Sequence, residues 1–333
     1  MTDNKRIASF PDFLFDSNLI DKDPDRNKET IDLAKLLISN QSSGNIWFSI
    51  LSLAEILASK NAATRIELLK RFQSLYSELG DRVRFIGSNL LESVHAEWSG
   101  RGLMSAPVSA MDRDVNESIA TGELVGILKT VHESWKIEKE MFCEDQSKRV
   151  RRAREEYGTN ELFRGHLKKC IAAYGTTDAL EQCEIIARRL IVDVANQPSE
   201  SVLLARTRYE EYPCTWTFSL LIRLADYAAT LTDAEWKSDF SQYGRLVEKQ
   251  ENDAIDAYIA TAGGKFGTLI TNDGGLIKKI NFLHDARPPL IRLRALTVED
   301  AMAEFKTLRA YFGREPRQLL ARGATCQNWD LPK

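Results

Sequence analysis

The run Phe13-Leu14-Phe15 is apolar without interruption and stops at Asp16-Ser17-Asn18, which reads as a short buried strand ending in polar residues. The turn sequence Asp21 to Asp25 follows, and Glu29 to Ser39 then places Ile31, Leu33, Ala34, Leu37 and Ile38 on one helical face. Ser42-Ser43-Gly44-Asn45 breaks that face, and Ile46 to Ile50 reads as the next strand. A helix from about Ser52 turns Leu53, Ile56 and Leu57 inward. Another covers about Thr64 to Leu79 and stops at Gly80, and Val83 to Ile86 is a third strand, ended by Gly87. Strands alternating with helices predict a parallel sheet with right-handed crossovers.

Beyond Trp98 the period changes. Ser99-Gly100-Arg101-Gly102 reads as a linker, and from there to about Gly244 the apolar positions recur at helical spacing only. The expected helices are Glu117 to Glu140, Asp145 to Tyr157, Glu161 to Tyr174, Asp178 to Val194 and Trp216 to Leu231. The alternation resumes with a helix from Glu248 to Ala262, for which Gly263-Gly264 reads as the stop, and a strand from Thr268 to Thr271. Asp273-Gly274-Gly275 opens a loop and short helix, Leu290 to Leu293 reads as the last strand, and Thr297 caps a helix to Arg309 with Asp300 at the capping-box position. The predicted fold is a three-layer α/β/α sandwich around a central parallel sheet, interrupted by an all-helical insertion. Its core spans 10–98 and 245–310, the insertion 99–244, and an irregular tail 311–333. Excising about Gly102 to Tyr243 is expected to leave a foldable core, which requires Gly100 and Gly244 to lie close together.

With 333 residues, 43% apolar and 28% charged, the chain has the composition of a soluble globular protein of one large domain or two ordinary ones. A net charge of −3 excludes a grossly basic nucleic-acid binder and leaves room for a local basic groove. Five scattered cysteines (Cys143, Cys170, Cys183, Cys214, Cys326) without CxxC spacing point to reduced, mostly buried thiols and a cytoplasmic setting rather than a zinc knuckle. The polar start MTDNKRIASF gives no sign of a signal peptide, and no apolar run approaches the ~20 residues of a membrane span. The four histidines lack metal spacing, and GxxxxGK[ST], GxGxxG and GxSxG are absent.

The chemistry lies in the acids. Open α/β sheets bind ligands at the carboxyl ends of their strands. Asp16 and Asp273 end two strands, Glu55 lies in the helix after the second strand, and Asp256 lies in the helix before the late one, with Asp253 one turn earlier. Gathered carboxylates repel unless a cation sits among them, and hard oxygen donors suit Mg2+ or Mn2+. Each acid alone has a plainer reading: a turn or cap for Asp16, a solvated helix charge for Glu55, a helix-dipole partner for Asp256.

Taken in order, strand-Asp-x-Asn (Asp16 to Asn18), a strand followed by Ser-x-x-x-x-x-Glu (Ser49 to Glu55), Asp-x-x-Ile-Ala-Thr-Ala (Asp256 to Ala262) and Thr-Leu-Ile-Thr-x-Asp (Thr268 to Asp273) resemble the PIN-domain nucleases. The likeness covers about Phe10 to His95 and Gly244 to Leu308 and leaves out the helical region. It implies a metal-dependent endonuclease acting on single-stranded or structured nucleic acid, RNA in preference to DNA. Carried over by position, Asp16, Glu55, Asp256 and Asp273 are the catalytic acids and hold Mg2+ or Mn2+, while Asn18 and Thr271 orient them. Asp253 is the alternative or additional helix ligand, although the spacing from Asp256 to Ile259 fits better. The resemblance also implies a toxin or defence role, with an inhibitor, antitoxin or effector complex as protein partner. The small pair Gly274-Gly275 departs from the pattern and would let a phosphate backbone approach. Two rivals stand beside it. One is a degenerate domain that binds RNA or protein without cutting. The other is a haloacid-dehalogenase-type phosphatase, which wants a second acid where Asn18 stands and leaves Glu55 without a role.

Two other constellations are weaker. Lys148, Arg149, Arg151 and Arg152 form a basic stripe that either tracks a nucleic-acid backbone or is a solvated face paired with Glu155 and Glu156. Tyr209, Tyr212, Trp216 and Phe218 around Pro213 either stack bases or pack the helical region onto the core.

Overall fold

A computed structural model describes residues 13–21, 23–39, 44–59, 61–86, 90–103, 105–230 and 253–312; Gly244 and the expected tail beyond 312 fall outside them. The first part of the chain runs β1 (Phe13–Phe15), α1 (Pro24–Ser39), β2 (Ile46–Ser49), α2 (Ile50–Leu57), α3 (Ala62–Leu79), β3 (Val83–Ile86), α4 (Leu90–Trp98) and β4 (Ser105–Pro107). A helical stretch follows: α5 (Asp112–Thr121), α6 (Gly126–Thr159), α7 (Glu161–Ala172), α8 (Asp178–Gln182), α9 (Glu184–Arg188), α10 (Ser201–Thr207) and α11 (Pro213–Thr230). The last part is α12 (Asp253–Phe266), β5 (Thr268–Ile270), α13 (Gly274–His284), β6 (Arg294–Leu296) and α14 (Val298–Phe312).

The strands form one sheet in the order β4-β3-β2-β1-β5-β6, parallel except for β4. β1 lies at its centre, with Phe13 opposite both Ile46 and Thr268. Side chains alternate between faces, as the pleat requires. Phe13, Phe15, Phe48 and Phe85 pack with α1, α3 and α14 on one face, where Phe15 and Phe48 meet edge to face at 5.7 Å. Leu14, Leu269 and Ala295 pack with α4, α12 and α13 on the other. Each such buried side chain contributes roughly 1.5–3 kcal/mol, so the sheet is held from both sides and its carboxyl edge is a firm platform.

Several elements differ from their sequence reading, each for a physical reason. The region expected to be all-helical supplies the antiparallel edge strand β4. It carries no β-branched residue to announce it, and Pro107 is tolerated there because the outer side of an edge strand breaks no ladder. The last strand is Arg294–Leu296, not Leu290 to Leu293. Leu290, Ile291 and Leu293 are buried, but outside the ladder, so their apolar run reported burial alone. Asn281 covers the outer edge of β6, its amide exchanging two hydrogen bonds of 2.8 Å with the backbone of Ala295.

Gly263 and Gly264 lie inside α12, which instead ends at Gly267 in the left-handed region (φ +80°). A Cβ on Gly264 would stand 2.9 Å from the Pro213 carbonyl oxygen, and one on Gly263 3.0 Å from Leu293. The pair permits close packing rather than ending the helix. Gly122 (φ +77°) splits the expected 117–140 helix, and α6 then runs unbroken through the gap expected after Glu140. Pro24, at the first helical position, starts α1 earlier than Glu29. The Ser49 hydroxyl accepts from Leu51 N (3.1 Å) and so caps α2 two residues sooner than expected.

The helical region shares its core with the sheet. α11 lies along α12, and Trp216, Leu220 and Leu224 join one apolar cluster with Ile259, Ala260, Leu14 and Leu269. Glu97 of α4 fixes the start of α11. Its carboxylate accepts from Cys214 N (2.5 Å), Thr215 N (3.0 Å) and the Thr215 hydroxyl (2.6 Å). The aromatics around Pro213 take the packing role. Tyr212 stacks on Trp98 at 4.2 Å, Phe218 meets Tyr258 edge-on at 5.1 Å, Trp216 donates to Ala205 O and Tyr209 to Pro289 O. The helical region and this face of the sheet therefore share one apolar cluster; the excision expected from sequence turns on Gly244, which lies outside the described residues.

Candidate active site

β1 delivers Asp16 to the carboxyl edge of the sheet, where its backbone N–H donates to Ile270 O (3.0 Å) and carries the β1–β5 ladder one step further. The Asp16 side chain is 4% exposed. Its Oδ1 accepts from Ser17 N (2.6 Å), and its Oδ2 accepts from the Thr271 hydroxyl (2.7 Å). Thr271 Oγ1 in turn accepts from Asn18 Nδ2 (2.9 Å) and Asp273 N (3.1 Å), and Asn18 Oδ1 accepts from Asn272 N (2.9 Å). The two residues expected to orient the acids thus lock the ends of β1 and β5 together, with the one Thr271 proton directed at Asp16.

Glu55 comes from α2. Its Oε2 is 2.5 Å from the Ser17 hydroxyl, which also lies 3.2 Å from Asp16 Oδ1. One hydroxyl proton therefore stands between two carboxylates. Burial, then the charge of Asp16, pushes Glu55 up to about 7, against the opposing influence of Ser17 and of Lys139 on α6. Burial raises Asp16 too, outweighing its hydrogen bonds from Thr271 and Ser17. Asp273 adds like charge to both.

Asp273 caps α13: its Oδ1 accepts from Gly275 N (2.7 Å) and Leu276 N (2.9 Å). A Cβ on Gly274 would meet nothing within 4 Å, so the space above this turn is open. Asp256 faces the same opening from α12. Asp16, Glu55, Asp256 and Asp273 together line one cleft of about 300 Å³, with Ser17, Asn18 and the apolar Ile20, Ile56 and Leu68. Asp253 begins α12, and its side chain is outside the described residues.

The donor set is entirely oxygen, which fits Mg2+ or Mn2+ and not a thiolate-seeking metal. Among the described residues no three His, Cys, Asp or Glu side chains are drawn tightly enough to hold an ion as they stand. Asp16 is held by Ser17 and by Thr271 at the end of β5, and Asp273 by the first turn of α13.

The basic stripe is largely paired. Lys148 bonds Glu144 (2.8 Å), Arg149 reaches Asp226 (3.5 Å) and Arg152 bonds Glu156 (3.0 Å), while Arg151 is exposed. Two residues of the site escaped the sequence reading. Ser17 was the unspecified position between Asp16 and Asn18, although a hydroxyl next to a strand-end acid is a visible signal. Lys139 was hidden, because its approach to Glu55 depends on how α6 packs on α2. No helix among the described residues is long and apolar enough to cross a membrane. No family model, curated protein or solved structure matches the chain.

Proposed function

We propose that the protein is a metal-dependent endonuclease that hydrolyses phosphodiesters, with RNA preferred to DNA. The observation that carries this reading is the convergence of Asp16, Glu55, Asp256 and Asp273, from four separate elements, on one cleft at the carboxyl edge of a parallel sheet. Asp16 and Glu55 are buried against their own preference for water, and a divalent cation is the counter-charge that would offset this. Those four carboxylates would hold Mg2+ or Mn2+, which when bound supplies an acidified water and charge neutralisation at phosphorus. Thr271 and Asn18 fix the orientation of Asp16, as partners of metal-binding carboxylates do. Ser17 couples Glu55 to Asp16. Asp273, anchored on the first turn of α13, keeps its Oδ2 for the cleft, and the open space at Gly274 admits a phosphate backbone. Lys139 brings a positive charge toward the same acids.

The phosphatase alternative gains nothing from the geometry. Asn18 occupies the position of the second acid, and both ends of its amide are committed to Thr271 and Asn272.

The test is cleavage of end-labelled single-stranded RNA and DNA by the purified wild type and Asp16→Asn, in Mn2+, in Mg2+ and in EDTA. Wild type is expected to cut, EDTA to stop it, and the substitution to reduce the rate by at least about 10²-fold. Equal rates for the two proteins, or cutting indifferent to EDTA, would overturn the reading.

A further inference from the structure

A second cleft lies in the helical region, with walls from α6, α7, α8, α9 and α11. It encloses about 500 Å³, within the ~300–1,000 Å³ range of small-molecule sites. Three arginines line it, Arg149, Arg189 and Arg223, and their states differ. Arg149 is paired with Asp226 at 3.5 Å, near the limit for an ion pair. Arg189 is exposed and has no ion-pair or hydrogen-bond partner for its side chain among the described residues. Arg223 donates through Nη2 to Gln182 O (3.3 Å), while its Nε is buried with no acceptor. A buried donor without a partner is unfavourable, and an arriving acceptor would satisfy it. Against these three cations the cleft sets the carboxylates of Asp226 and Glu181.

The rest of the lining is apolar or aromatic. Phe163, Leu167, Ile186 and Tyr227 form the wall, and Ile185 stands at the rim 65% exposed. An aliphatic side chain so exposed, beside the unpaired Arg189 and the open donor of Arg223, suits a ligand with both an anionic and a flat apolar part. Guanidinium forks match phosphate oxygens two at a time, and aromatic or guanidinium faces accept a flat ring. The thiol in the cleft does not suggest covalent chemistry. Cys170 donates to Gln182 Oε1 (2.9 Å), lies 3.3 Å from His166 Nε2, and is pushed above its ordinary range by burial.

We propose that this cleft is a binding site for a nucleoside monophosphate, its phosphate held by Arg189 and Arg223 and its base laid against Phe163 and Ile186. The site is separate from the carboxylate cleft: no residue lines both. It therefore stands whether or not the protein is a nuclease.

The experiment is calorimetric titration of the full chain, in EDTA so that metal-dependent binding at the carboxylates does not contribute. The probes are the four ribonucleoside monophosphates, the matching nucleosides and inorganic phosphate. At least one monophosphate is expected to bind with a Kd below about 1 mM, and its nucleoside and inorganic phosphate each at least about tenfold more weakly. Arg189→Ala, an exposed change that leaves the fold alone, and Arg223→Gln are each expected to weaken that binding by about tenfold or more. Arg113→Ala, which removes a surface charge elsewhere, is expected to leave it unchanged. Absence of binding by all four monophosphates, equal binding of inorganic phosphate, or full affinity in Arg189→Ala would overturn the proposal. If Arg223→Gln unfolds, Arg189→Ala still decides.

Discussion

Ser17 stands with one hydroxyl proton between the carboxylates of Asp16 and Glu55, and the consequence is a pH dependence with a definite sign. An acid whose folded-state pKa lies above its unfolded value binds more protons when folded. Glu55 moves from 4.5 to about 7. The stability tied to its protonated form is therefore complete below about pH 4.5 and is lost as the pH rises through about 7, a change on the order of 3 kcal/mol. In EDTA the wild-type Tm should fall over that window, and Glu55→Gln should flatten the fall; a wild-type Tm that rises with pH there would contradict this. Addition of Mn2+ should restore Tm most at the upper end, where protons no longer compete for the carboxylates. Ser17→Ala should leave the fold intact and reduce cleavage by about 10–100-fold, the range for partners of metal ligands. Cleavage at the wild-type rate would remove Ser17 from the site. At this scale the sequence was informative where the chemistry was local to a motif. The strand-end acids, Asn18 and Thr271 were legible because each sits at a fixed place on a strand or helix. Lys139 was not, because nothing near it in the chain says which helix it will lie against.

Among the elements, α12 shows what separates a pattern from a structure. Gly263-Gly264 looks like a helix stop, yet close packing is what requires both positions to lack a Cβ: the start of α11 presses on Gly264, and Leu293 and Leu14 press on Gly263. Gly264→Ala gains up to ~1 kcal/mol of helix propensity but places a methyl against the Pro213 carbonyl, and overpacking costs about 1–3 kcal/mol. Net destabilisation is expected. Gly165→Ala in α7 is the contrast: its Cβ would meet nothing within 4 Å, so only the propensity gain of about 0.5–1 kcal/mol remains. Denaturant unfolding of the two variants should give shifts of opposite sign. The same lesson covers Leu290 to Leu293 and β4. An apolar run reports where water is excluded, not which backbone is in the ladder, and a three-residue edge strand carries too little pattern to be seen.

For the molecule as a whole, the helical region is a wall of the core. α11 covers α12, and α12 covers the centre of the sheet. Replacing 108–230 with a short linker should expose the faces of Ile259 and Ala260 and yield a chain without a cooperative thermal transition; a sharp melt from such a chain would show that the sheet closes without it. The strand order has a further consequence. β1 and β5 are neighbours, and Asp16 meets Thr271, 255 residues away in sequence. At translation speeds of about 5–20 residues per second, roughly 13–50 s separate the synthesis of these two halves of the cleft. A growing polypeptide on the ribosome has no finished cleft during that interval. If the protein cuts RNA, the messenger being read is spared by the nascent chain it encodes, and a product truncated before Thr268 is inert.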